Sequence, residues 1–148
     1  METDFLAQLI DARHQVLVQL QELARRQAML VQDGDMTRLM SLLAVKQRLL
    51  NTLQDHERKL EPFRVQDPEQ RLWRSNADRQ RCREVAEHSE LMLGEILRVE
   101  RQCETELIQR RDDAAKLLQG AHSAARATHA YVSTLELRGG QLDVSCET

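Results

Sequence analysis

Leucine and other apolar residues recur along this chain at alternating steps of three and four, and few glycines or prolines interrupt them. The first run is Leu6, Leu9/Ile10, Arg13, Val16/Leu17, Leu20, Leu23/Ala24, Gln27 and Leu30/Val31. A repeat near 3.5 residues puts these positions on one helical stripe, a pattern that a strand with its period of two cannot use. Arg13 and Gln27 interrupt it. Gln32-Asp33-Gly34-Asp35 then supplies a stop and a start, with Gly34 suited to a left-handed helix end and Asp35 to an N-cap. The spacing predicts helices over about 4–31 and 36–60, joined as an antiparallel hairpin. In the second helix Met36, Leu39/Met40, Leu43, Leu50, Leu53 and Leu60 carry the stripe, and Lys46 and His56/Glu57 break it.

Pro62 and Pro68 mark the next boundary. Asp67-Pro68-Glu69-Gln70 reads as a helix start, with an N-cap Asp, Pro at the first position and Gln at the capping-box position. A third helix is therefore expected over about 69–119, opened by Leu72/Trp73. Its stripe runs through Cys82, Val85/Ala86, Ser89, Met92/Leu93, Ile96, Val99, Cys103, Leu107, Arg110, Ala114 and Leu117. Such a helix would reach roughly 75 Å, against about 40 Å for each of the first two. A tight hairpin covers only its first half, so the rest either overhangs or meets a second copy of the chain. The stripe continues over 120–137 as an amphipathic extension through Ala121, Ala124/Ala125, Thr128, Tyr131/Val132 and Leu135. Residues 138–148, with Gly139-Gly140, read as a flexible tail. The expected class is all-α: an elongated antiparallel helical bundle or coiled coil, one domain over 1–137.

Composition agrees and excludes several functions. The chain has 23 leucines among 148 residues and four aromatics, too few aromatic and turn residues for a sandwich or barrel. With 21 basic and 24 acidic residues, it has no overall attraction for nucleic acid or an anionic membrane. No apolar run approaches the roughly 20 residues of a membrane span. Met1-Glu2-Thr3-Asp4-Phe5 shows no basic and apolar leader, and three cysteines at unframed spacings suit a reducing compartment, so a cytoplasmic location is expected.

Little here points to catalysis, and no cofactor, metal or catalytic residue is expected. Asp11 and His14, or Glu84 and His88, could share a helix face, but no Glu-x-x-His occurs and a carboxylate-bridged metal pair would need two. Neither His88-Ser89-Glu90-Leu91 nor His122-Ser123-Ala124-Ala125 resembles a phosphotransfer site. Nucleophile elbows, phosphate loops and Cys-x-x-Cys pairs are absent from the sequence. Arg64, Arg71, Arg74, Arg79, Arg81 and Arg83 cluster around Trp73, but acidic residues dilute them and one aromatic is no stacking platform. Cys82 and Cys103 fall on the stripe and read as small core residues.

The order of features suggests a family. A helix ending at Gly34-Asp35 is followed by Leu39-x3-Leu43-x2-Lys46-x2-Leu49-Leu50-x2-Leu53, a break, a long helix and a small-residue amphipathic segment. This resembles the FlgN-type flagellar export chaperones, most closely from Gly34 to Leu60 and in outline over about 4–137. The family often has an Asn-rich stretch in its long helix, where this chain reads Ala86-Glu87-His88-Ser89-Glu90-Leu91. The resemblance implies a cytoplasmic, non-enzymatic chaperone that binds hook-associated proteins of the hook–filament junction and prevents premature assembly. It also implies that the C-terminal region engages a terminal helical segment of the client, which here means Leu117, Leu118, Ala121, Ala124, Ala125, Tyr131, Val132 and Leu135. The residues alone leave alternatives open: this segment can fold back onto the bundle, or the chain can be a structural or adaptor bundle that homodimerises through its long helix.

Overall fold

The computed structural model describes residues 2–145, with side chains described for residues 2–137. Three α-helices, and no strand, are present among them: α1 (Glu2–Asp33), α2 (Met36–Arg64) and α3 (Asn76–Ser145). The protein is all-α. Contacts divide it into two units, Met1–Glu106 and Leu107–Thr148.

In the first unit, Gly34 at φ 72° ends α1, and Asp35 caps α2 by accepting a bond from the Arg38 amide at 3.1 Å. The expected hairpin is therefore made by two residues. Both helices run past the expected ends. Pro62 lies inside the last turn of α2, where few helical bonds remain to lose, and burial of Leu60 and Phe63 against Leu6 and Leu9 holds that turn in place.

The third helix does not begin at 69. Asp67 caps only a single 3-10 turn, Pro68–Gln70, its Oδ1 accepting from the Glu69 amide at 3.0 Å. The chain is then extended so that Leu72 can accept a bond from Thr3 Oγ1 at 2.8 Å and Trp73 can pack on the Leu6 cluster. Leu72 itself is exposed. Helix α3 starts where Ser75 Oγ accepts from the Asp78 amide at 3.1 Å. It continues through Gly94 and Gly120 without a break and past 119; of the expected tail, 138–145 is helical backbone and 146–148 lies outside the described residues.

Partners across the bundle fix the directions of the helices. Arg13 meets Glu57 and Glu90, whereas Gln27 meets Lys46 and Glu100. Ascending α1 thus means descending α2 and ascending α3, an up-down-up bundle with α3 parallel to α1. Two apolar layers fill it. Leu6, Leu9, Leu60 and Phe63 form one, and Val16, Leu17, Leu20, Met92 and Ile96 the other, with Leu49, Leu53 and Leu93 packed beside it. The inward line of α2 is thus Leu39, Leu42, Lys46, Leu49, Leu53, Glu57 and Leu60. Met36, Met40 and Leu50, expected on the stripe, are exposed.

The sequence interruptions are the polar layers of this bundle. Arg13 is only 7% exposed, and its guanidinium bonds Glu57 and, at 2.9 Å, Glu90 Oε1. Fourteen residues on, Gln27 Nε2 donates to Glu100 Oε2 at 3.2 Å and its Oε1 accepts from Lys46 Nζ at 3.1 Å. Lys46 Nζ also lies 2.5 Å from Glu100 Oε1, placed for charge pairing but off a hydrogen-bonding angle. Each layer takes one side chain from each helix, so sliding α1 would strip buried Arg13 of its carboxylates, and sliding α2 or α3 would part half-buried Lys46 from Glu100.

Glu57 links the first layer to pH. Burial works to raise its carboxyl pKa, but bonds from Arg64 and Arg13 outweigh that and hold it below the ordinary 4.5. A depressed folded-state value stabilises the fold above the ordinary pKa, and the contribution fades as pH falls through the folded value. Glu57→Gln should therefore cost most near neutrality, its deficit shrinking once the pH drops below 4.5. Urea unfolding of both proteins across a pH series measures this; a deficit independent of pH would contradict it.

Candidate partner-binding surface

Helical rotation decides which side chains of the second unit share a face. At about 100° per residue, Leu117, Leu118, Ala121, Ala124, Ala125, Tyr131, Val132 and Leu135 fall within an arc of about 140°. Thr128 sits near the middle of that arc. Its Oγ1 donates to the Ala124 carbonyl at 3.0 Å, which turns the hydroxyl inward to the helix and presents the methyl group. Alanines at the centre leave the stripe shallow there, and the larger side chains stand toward its ends.

All eight are exposed: Leu117 is 76% accessible, Tyr131 66% and Leu135 48%. Leu137, at 72%, lies off this arc and was not singled out by spacing. Soluble chains seldom leave an apolar row of this length uncovered without a partner for it. A lone helix with so little side-chain burial is also marginal in water. Chemically the surface offers shape and apolar area, with the Tyr131 phenol within it and the Glu136 carboxylate at its edge.

The remaining candidates are accounted for by pairing. Five of the six arginines around Trp73 have carboxylate partners: Arg64 with Glu57 and Glu61, Arg74 with Asp4 at 2.6 Å, Arg79 with Glu69, Arg81 with Asp11, and Arg83 with Glu87. That leaves little free positive charge for a phosphate backbone. Asp11 therefore meets Arg81 rather than His14, and His14 Nε2 meets His88 Nδ1 at 3.1 Å across α1 and α3, a pairing the sequence did not suggest. No three His, Cys, Asp or Glu side chains converge on a metal-sized point among the described residues. Burial is the main influence raising the Cys82 and Cys103 thiols above their ordinary pKa, which makes both poor nucleophiles.

No protein-family model, curated protein or solved structure matches the chain. The surface must be read from its own chemistry. Among the described residues, no helix is long and apolar enough to cross a membrane.

Proposed function

We propose that this protein is a non-enzymatic, FlgN-like export chaperone of the cytoplasm. It holds hook-associated flagellar proteins through the stripe on residues 117–135 and keeps them from assembling early. The observation that carries this reading is the exposure of every large side chain on that stripe, Leu117, Leu118, Tyr131, Val132 and Leu135. An amphipathic client helix laid along it would bury two apolar faces at once, the helix-in-groove mode of recognition. The shallow alanine centre lets a client backbone approach closely. Ordering of both helices on contact would offset part of the gain and keep the complex reversible, as an export chaperone requires.

The Gly34-Asp35 turn and the Leu, Lys pattern that follows it are the sequence features that support the family reading, and Lys46 of that pattern lies in the second polar layer. Calorimetric titration of the full chain with a purified hook-associated protein tests the proposal. Saturable binding at micromolar or tighter affinity is expected. Absence of binding, with a stable dimer in sedimentation, would favour instead the structural bundle that pairs with its own copy.

A further inference from the structure

The link between α2 and α3 borders a half-open cavity of about 430 Å³ in the first unit. That lies within the range of about 300–1,000 Å³ typical of small-molecule sites. Its apolar wall comes from Ile10, Leu60, Phe63 and Trp73, and Arg13, Arg64, Arg71, Arg79 and Arg83 also line it. Those arginines are not equivalent. Arg13, Arg64, Arg79 and Arg83 each have a carboxylate partner, and Glu90, which also lines the cavity, accepts from Arg13.

Arg71 is the exception. Its Nη2 donates to the Phe63 carbonyl, its Nε is sealed off, and no carboxylate pairs with it among the described residues, so its charge is met by a backbone carbonyl alone. A guanidinium presents five donors, and with Nε sealed and one Nη2 proton given to a carbonyl, the remaining terminal N–H groups are those an anion can meet. A single free guanidinium matches one carboxylate, which it can bond through two nitrogens. The apolar wall beside it calls for an aliphatic or aromatic body on that carboxylate.

We propose that this cavity binds a small amphiphilic acid, with its carboxylate on Arg71 and its apolar body against Phe63 and Trp73. Trp73 is the chain's single tryptophan, so its emission reports on the cavity directly. Sodium octanoate and octanol, which differ mainly in head-group charge, are titrated into the full chain while that emission is followed. Octanoate should saturate the change, and octanol should bind at least about tenfold more weakly. Arg71→Gln should weaken octanoate binding by at least about tenfold and leave octanol unaffected. If that variant fails to fold, the contrast between the two ligands on the unaltered chain still decides. Equal binding of octanoate and octanol would reduce the cavity to an apolar void and overturn the proposal. Absence of any saturable response up to millimolar octanoate, or undiminished binding by folded Arg71→Gln, would overturn it equally.

Discussion

Lys46→Glu should lower the unfolding free energy of the first unit by about 2–3 kcal/mol. The substitution sets a second carboxylate against Glu100 and removes the donor that Gln27 Oε1 now accepts from. Breaking a fully buried ion pair costs about 3–5 kcal/mol. The Glu100 side chain keeps 27% of its exposure, so some repulsion is screened and the lower figure applies. At about 4–8 °C per kcal/mol for a unit of this size, the thermal midpoint should fall by at least about 8 °C. The exchange Lys46→Glu with Glu100→Lys should recover more than half of the loss. The Gln27 amide can turn over, offering its oxygen to a lysine or its nitrogen to a carboxylate on either helix. Denaturant unfolding of the two single variants and the double gives the coupling energy. A loss below about 0.5 kcal/mol, within the range of ordinary surface changes, or a double variant no more stable than Lys46→Glu, would mean that this layer does not set the register.

The same layer shows what could be read along the chain and what could not. The apolar inward positions of α1 were legible, because Leu6, Leu9, Val16, Leu17, Leu20, Ala24 and Val31 obey one period and each is buried, whereas buried Thr3 lies ahead of the stripe. Arg13 and Gln27 obey it too, but looked like interruptions, since their partners Glu57, Glu90, Lys46 and Glu100 stand on other helices. Periodicity identifies a face and does not identify what meets it. In α2 the spacing points to Leu50, which is exposed, and packing chose its neighbour Leu49. The start of α3 misled for a different reason. Asp67-Pro68 is a sound cap, and it caps one turn, but the bond from Thr3 to Leu72 and the packing of half-buried Trp73 on the Leu6 cluster demand extended chain before Ser75 caps again. Arg71 was indistinguishable from its five neighbours until their carboxylates were located in space. The C-terminal stripe is the opposite case, since a helical rotation computed from residue numbers alone already gathers its eight members onto one arc.

Tyr131→Asp combined with Leu135→Asp should abolish client binding, a loss of at least about a hundredfold, while leaving the thermal midpoint of the first unit unchanged. The two side chains lie four residues apart, so they stand one turn apart on the same face and a client helix would have to cover both. Neither contributes to a core in the structure: both are exposed, so aspartate there meets water and should change stability by no more than about 0.5 kcal/mol. Against an apolar client, each new carboxylate would lose that water without gaining a partner. Such a penalty amounts to several kcal/mol per ion, well beyond the about 2.8 kcal/mol that a hundredfold change represents. Alanine at the same two positions should give a smaller loss, because it removes area without adding charge. Calorimetry with the client, alongside thermal unfolding of each variant, measures the two quantities independently. Undiminished affinity in the double aspartate variant would remove the client from this face. A collapse of the thermal midpoint would instead show that Tyr131 and Leu135 hold the chain's own fold together, in which case the stripe is no free surface.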